Sequence, residues 1–328
     1  MRFRGTTFRF QIIVILLVLA GFGITMVYRP VYTQAEKGAY RPKKAEIRKD
    51  GPYTLVRVID GDTIVVSPSD DATRKEPASS PSSEGQGDFE AIHVRYLGIN
   101  TPERDEKFFK EAGGKNRELI GEQSVYLEYE AVTEDHYGRK LAYIWAGDTL
   151  VNQAMLEAGY AHLFVIPPAK RHYDEFLKAE KAAREMKDAN GKVAPRGIWA
   201  DKEYRSSLHI TSFHANPSGD ESKDPNLEYL RVCNISLDPI SLIGYKLTDA
   251  QRHAYFFPDV TLPPGYTVVV FSGKGPDLTD PSRPIELYWG APYPIWNNSG
   301  DTATIYDPKG KRVDSKTYEP GRRVPSGA

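Results

Sequence analysis

Three short stretches combine charge with residues that bend the backbone: Ile59-Asp60-Gly61-Asp62-Thr63, then Arg95 leading into Asn100-Thr101-Pro102-Glu103, then Asp135-His136-Tyr137-Gly138-Arg139. Carboxylates, arginines and neutral oxygens are the groups that phosphodiester hydrolysis demands. The anionic oxygens must be neutralised, a water placed in line, and the growing transition-state charge stabilised. Asp62 and the oxygens of Asn100 and Thr101 are hard ligands suited to Ca2+, which tolerates irregular oxygen coordination completed by water and substrate. No His or Cys cluster proposes zinc instead. Arg95 and Arg139 would present planar, permanently charged forks to the phosphate, a geometry that lysine lacks. Glu103 follows Pro102, whose ring fixes the local backbone, so its carboxylate is the expected general base or water-orienting acceptor. Tyr137, beside Arg139, is the aromatic expected to meet substrate.

Taken singly, Asp-Gly-Asp is usually a turn, Thr-Pro-Glu a helix start and Tyr-Gly-Arg a hairpin corner. Their order along one chain and their strand surroundings give them weight. His136 and His172, beside a turn and on a helix, are expected to be solvated and stay outside the site. Trp199, Trp296 and Cys233 sit among apolar or strand neighbours and are expected in the core.

The elements that must hold these residues follow from hydrophobic spacing. Residues 53–66 carry β-branched and aromatic residues around the Asp60-Gly61 turn, which predicts two strands or a bulged bend. Residues 67–88 are rich in Ser, Pro, Asp and Gly and read as a disordered insertion in a hairpin. Strands are expected at 92–99, 125–129 and 141–145. Helical spacing appears around 109–120, at Val151, Ala154, Met155 and Ala158 closed by Gly159, and at Tyr173, Phe176, Leu177 and Ala183. Five short strands with interspersed helices suit a small closed barrel. After Trp199 the texture changes to short strands and turn signals, which predicts a separate β-sandwich.

A length of 328 residues favours two globular units. The net charge of −1 supplies no global cationic field, so a nucleic-acid partner would need a local basic groove. One cysteine excludes an intrachain disulfide. Residues 10–28 form an uncharged, mostly apolar run behind Arg2, Arg4 and Arg9, long enough to cross a bilayer. Its length favours an uncleaved signal anchor, with cleavage after Ala35 the alternative. The basic residues Arg29, Lys37, Arg41, Lys43 and Lys44 on the other side leave the topology undecided by charge counting.

The motifs IDGDT, VRYLGINTPE and DHYGRKLAYIW, followed by a helix and Gly197-Ile198-Trp199, resemble the staphylococcal nuclease family over roughly residues 52–199. That resemblance implies an oligonucleotide-binding (OB) barrel with one Ca2+ at Asp62, Asn100 and the Thr101 carbonyl, with Asp60 near the metal. It also implies Arg95 and Arg139 on the phosphate and Glu103 near the attacking water. Two departures stand out: Asn100 replaces an aspartate of the family's archetype, and Phe164 and Ile166 stand where the archetype presents two tyrosines. Phe164 could still stack on a base, whereas Ile166 could not. Further on, EYLRVCN, LIGYKLTD, FP with LPPG, and IWNNSGD resemble the lamin-tail domain, which implies an immunoglobulin-like β-sandwich that binds or anchors.

The expected organisation is a basic flank at 1–9, a transmembrane or signal-anchor helix at 10–28, a tether at 29–52, a nuclease-like domain at 53–200, a lamin-tail-like sandwich at 207–318 and a disordered tail at 319–328. The expected function is that of a Ca2+-dependent endonuclease hydrolysing DNA, RNA or both with little sequence specificity. It would be membrane-anchored facing outside the cytoplasm, or secreted if the leader is cleaved, with a further partner on the C-terminal domain. Two rival expectations stand beside it. One is a non-catalytic nucleic-acid-binding or uptake receptor using the same groove, and the other an envelope protein with a vestigial barrel.

Overall fold

The computed structural model describes residues 49–69 and 91–320, which belong to one compact unit. In the N-terminal half the strands are β1 (Lys49–Val58), β2 (Thr63–Pro68), β3 (Ile92–Tyr96), β4 (Ile99–Asn100), β5 (Val125–Glu128), β6 (Lys140–Ala146), β7 (Thr149–Leu150) and β8 (His162–Leu163). Helices α1 (Phe109–Ile120), α2 (Val151–Glu157) and α3 (Tyr173–Arg184) are interleaved with them. The sheet runs β3-β2-β1-β5-β6, and parallel pairing of β3 with β6 joins its ends into a closed five-stranded barrel of OB type. Closure abolishes the open edges that a small sheet would expose.

Side-chain periodicity explains which faces turn inward. On α3, Phe176, Ala179, Glu180 and Ala183 are buried, the spacing of one helical stripe. Phe176 packs so closely under the Leu97-Gly98 turn that a Cβ on Gly98 would lie 2.7 Å from its ring. Asn152, fully buried on α2, accepts from Ile144 N–H at 2.8 Å and donates to the Leu97 carbonyl at 2.8 Å. This buried amide pins the turn that leads from β3 into β4, and so into the site.

Among the described residues the C-terminal half is built from strands, apart from short 3-10 turns: β9 (Leu208–His214), β10 (Tyr229–Asn234), β11 (Ile240–Ser241), β12 (Lys246–Thr248), β13 (Ala254–Phe256), β14 (Thr261–Leu262), β15 (Thr267–Phe271), β16 (Ile285–Tyr288), β17 (Asp301–Tyr306) and β18 (Arg312–Tyr318). They form sheets ordered β16-β15-β10-β9 and β13-β12-β17-β18, with a β11-β14 pair beside them. Along β17, Asp301, Ala303 and Ile305 are buried while Thr302, Thr304 and Tyr306 are half-exposed, the period of a strand with one covered face.

The two halves share one apolar cluster. Val165 N–H donates to the Gly265 carbonyl at 2.7 Å, and Thr267 N–H donates to the Val165 carbonyl at 3.3 Å. Gly265 has a φ of +75°, and a Cβ there would lie 2.4 Å from Leu163, so only glycine lets the halves approach this closely. Cys233 is buried at this junction, with Sγ 3.5 Å from the Leu163 carbonyl and 3.4 Å from that of Gly265. Trp199 and Trp296 are buried as well.

Some expectations need correction or fall elsewhere. Strand β1 starts at Lys49, inside the segment expected to be tether, because residues 49–53 pair with β5. Ser67 and Pro68 complete β2, opposite Thr54 and Tyr53, so they are not part of an insertion. The apolar run at 10–28, residues 70–88 of the expected insertion and residues 321–328 of the expected tail lie outside the described residues. Among the described residues no helix is long and apolar enough to cross a membrane.

Candidate active site

The turn between β1 and β2 is written by Asp60. Its Oδ1 accepts from Asp62 N–H at 3.0 Å, while Ile59 and Asp60 N–H both donate to the Thr63 carbonyl. Gly61 is required by proximity rather than by φ, since a Cβ would lie 2.7 Å from the Thr101 side chain. The turn is therefore pressed against the segment that follows β4. Asn116 of α1 anchors it from behind by donating to the Asp60 carbonyl at 3.0 Å, and accepts in turn from Tyr96 Oη at 2.8 Å.

Asp62 ties the two segments together. Its Oδ2 accepts from Thr101 N–H at 2.7 Å and from the Thr101 hydroxyl at 3.0 Å, and its Oδ1 meets Arg95 Nη1 at 2.8 Å. Arg95 lies on β3, opposite Thr63, with its fork spread over Asp62, the Ile99 carbonyl at 3.2 Å and Asn100 Oδ1 at 2.7 Å. Asn100 Nδ2 in turn sits 3.3 Å from the Thr101 carbonyl. The Phe164 ring lies 5.9 Å from the Arg95 guanidinium, brought there by Phe164 N–H donating to the Gly98 carbonyl. Asp60, Asp62, Arg95, Asn100, Thr101 and Phe164 thus meet at one end of the barrel, and Glu103 lies near enough to feel the Asp62 charge.

Tyr137 and Arg139 form a second group around Asp135. The Asp135 Oδ1 accepts from Tyr137 and Arg139 N–H, both at 3.0 Å, and its Oδ2 meets Arg139 Nε at 2.8 Å. The Arg139 guanidinium lies 5.6 Å from the Tyr137 ring. The barrel links this group to the first: Leu141, two residues beyond Arg139, is the register partner of Arg95.

The carboxylates at this end repel one another. Burial and the neighbouring Asp62 charge push Asp60 up to about 7. Burial and Asp62 likewise push Glu103 up to about 8, with Lys316 of the C-terminal half pulling the other way. Among the described residues no three His, Cys, Asp or Glu side chains converge as a metal cluster. The donor set instead combines two carboxylates, Asp60 and Asp62, with the Asn100 amide and the Thr101 carbonyl. These are all hard oxygens, and ionised carboxylates keep lone pairs beyond the bonds described. Such a set, under like-charge strain that a cation would relieve, fits a hard divalent ion.

Several participants carry no signal in the sequence. His162 is buried with Nε2 3.4 Å from Asn100 Nδ2, because β4 pairs with β8 and sets Asn100 opposite His162. Burial, reinforced by His209, pushes it down to about 3, so it is neutral. Glu106, His209 and Lys316 surround the segment after Glu103 and come from two halves of the chain. His172, by contrast, bonds Glu128 at 3.0 Å, away from these groups, and the His136 ring lies 3.7 Å from that of Tyr137, tilted by 41°.

A closed barrel with acidic and cationic side chains gathered at one end defines an OB-type domain of the nuclease class, here followed by a β-rich domain. Family comparison matches residues 93–201 to "Staphylococcal nuclease homologue" and residues 202–320 to "Lamin Tail Domain". The chain is 27% identical over 172 residues to a thermonuclease of Staphylococcus hyicus, covering 51% of this chain and 86% of that protein. It is 29% identical over 153 residues to a thermonuclease of Staphylococcus intermedius, covering 45% and 79%. It is 30% identical over 179 residues to Endonuclease YncB of Bacillus subtilis, covering 51% and 76%. The chain belongs to the staphylococcal nuclease family and carries a lamin tail domain behind its nuclease domain.

Proposed function

We propose that this protein is a Ca2+-dependent endonuclease that hydrolyses DNA, RNA or both with little sequence specificity. The observation that carries the reading is the gathering of Asp62, Arg95, Asn100 and Thr101 through direct contacts of 2.7–3.3 Å, with Glu103 two residues further on. The family relatives named thermonuclease and endonuclease support it.

The ion would be held by Asp62, Asn100 and the Thr101 carbonyl, with Asp60 beside them, and would supply positive charge to the phosphate oxygens. Arg95 and Arg139 hold the remaining phosphate oxygens, and their fixed charge counts most as negative charge accumulates at phosphorus. Glu103 accepts the proton of the attacking water. Phe164 and Tyr137 offer ring faces to the flanking nucleotides, contacts that tolerate any base. Because phosphate contacts carry no sequence information, little sequence preference is expected. Asn100 leaves this site one negative charge short of the archetype, which lowers its affinity for the ion.

The apolar run at 10–28 supports a membrane anchor with the enzyme outside the cytoplasm, or export if the run is cleaved. The C-terminal sheets are read as an immunoglobulin-like sandwich that docks a further partner.

The test is degradation of unlabelled single-stranded DNA by the full chain with Ca2+ or with chelator. Cutting that needs Ca2+ and is lost in Glu103→Gln and Arg95→Ala supports the reading. Tight binding without cutting under any divalent cation replaces it with a receptor.

A further inference from the structure

We infer that the lamin tail domain is a working part of the nuclease site, because its Lys316 and His209 hold the side chain of Glu106, which in turn fixes the backbone of Glu103. The inference rests on the reading of Glu103 as the base.

Residues 103–106 close on themselves. Glu106 N–H donates to the Glu103 carbonyl at 2.8 Å, and Glu103 N–H donates to Glu106 Oε2 at 3.0 Å. This reciprocal pair works only while the Glu106 carboxylate faces inward. It is held there from across the domain boundary: Lys316 Nζ on β18 lies 3.1 Å from Oε1, His209 Nε2 on β9 lies 3.8 Å from Oε1, and the Tyr204 hydroxyl donates to Oε2 at 3.4 Å. Lys316 and His209 are themselves held. Lys316 also donates to the Thr211 carbonyl at 3.5 Å, and His209 Nδ1 lies 3.1 Å from Asp314 Oδ2, which accepts from Ile210 N–H at 2.7 Å.

These side chains are only 14–21% exposed. A carboxylate this far from water stays inside only if cations compensate it. The ammonium and the imidazole that face it both come from the lamin tail domain. Remove the ammonium and Glu106 gains by turning to solvent, which frees the Glu103 amide and loosens the segment carrying the base. A second contact, Lys107 with Asp201 and Glu203, is exposed and holds the segment weakly. Glu106, Lys316 and His209 are therefore positioning residues, since none touches the reacting atoms.

The experiment uses the full chain carrying Lys316→Met, Lys316→Arg or Glu106→Gln. It measures kcat and KM on single-stranded DNA at saturating Ca2+, and hydrogen exchange at the Glu103 amide by NMR. Lys316→Met is expected to lower kcat about ten- to a hundredfold with KM changed less than about twofold, since a small misplacement of a catalytic group costs rate rather than binding. Exchange at Glu103 should accelerate while amides of the barrel core do not, and Lys316→Arg should recover most of the rate. Should Lys316→Met fail to fold, Glu106→Gln is expected to show the same loss of kcat and the same faster exchange. Unchanged kcat and unchanged Glu103 exchange, in a protein whose Glu103→Gln variant is dead, would overturn the inference and leave the base assignment standing. Full activity of Glu103→Gln would instead remove the base assignment, and this inference with it.

Discussion

Two sets of acids, one fully buried in the barrel and one half-buried at its end, are treated in opposite ways. Glu128 on β5 is fully buried, yet Arg171 at 2.8 Å, His172 at 3.0 Å and Trp145 Nε1 at 2.8 Å all donate to it. Burial pushes Glu128 up, but these donors outweigh it and hold the acid below the usual carboxylate range. At the other end, Asp60 and Glu103 sit at about 7 and about 8, raised by burial and by Asp62. Glu128 is surrounded by donors, whereas the Asp62 charge weighs on both Asp60 and Glu103. Arg95 and Lys316 relieve that repulsion only in part, and a bound cation would answer the rest.

The sharpest way to break this contrast is Glu103→Gln, which should cut kcat about 10²- to 10⁴-fold with little change in unfolding free energy. In the wild type the base must be ionised, so cutting should rise with pH, and bound Ca2+, by offsetting the Asp62 charge, should place that rise below about 8. A flat pH–rate profile would deny Glu103 the role. The mirror experiment is Glu128→Ala. It should destabilise the protein by about 3–5 kcal/mol in urea titration, because Arg171 and His172 lose a buried partner, while the rate per folded molecule holds.

Glu106 sharpens the contrast from the interface. Burial would push it up, but Lys316 and His209 overcome that and hold it at about 2, against an ordinary 4.5. Its contribution is therefore complete above about pH 4.5 and disappears as the pH falls toward 2. It is worth up to about 3 kcal/mol by the usual conversion of a pKa shift. Unfolding titrations across that window should show the loss in the wild type and a flatter curve in Glu106→Gln. The smallest effect is expected from Asn100→Asp, which restores the missing charge and should tighten Ca2+ binding about tenfold by calorimetry.

Much of the fold and most of the candidate site are legible in the amino-acid sequence. Helix α1 spans the residues that the apolar spacing marks, and α3 starts at Tyr173 as its spacing implies. The barrel strands follow β-branched runs between turn residues, and Asp62, Arg95, Asn100 and Thr101 meet because their motifs sit on adjoining strands and turns. The start of β1 is obscured because Lys49 and Asp50 are weak strand formers that pair with β5 only in the folded sheet, and an irregularity at residues 51–52 follows them. His162 is invisible because strand pairing, not spacing, sets it beside Asn100. Glu106 and Lys316 are 210 residues apart, and nothing local to either announces the other.

The most direct test of the account is a single-turnover comparison of the wild type and Asp62→Asn on one labelled single-stranded oligonucleotide at saturating Ca2+, reading bound and cleaved fractions together. Asp62→Asn is expected still to bind the strand but to cleave it at least about a hundredfold more slowly. Cleavage at the wild-type rate would show that the barrel-end cluster is not where the phosphodiester is cut.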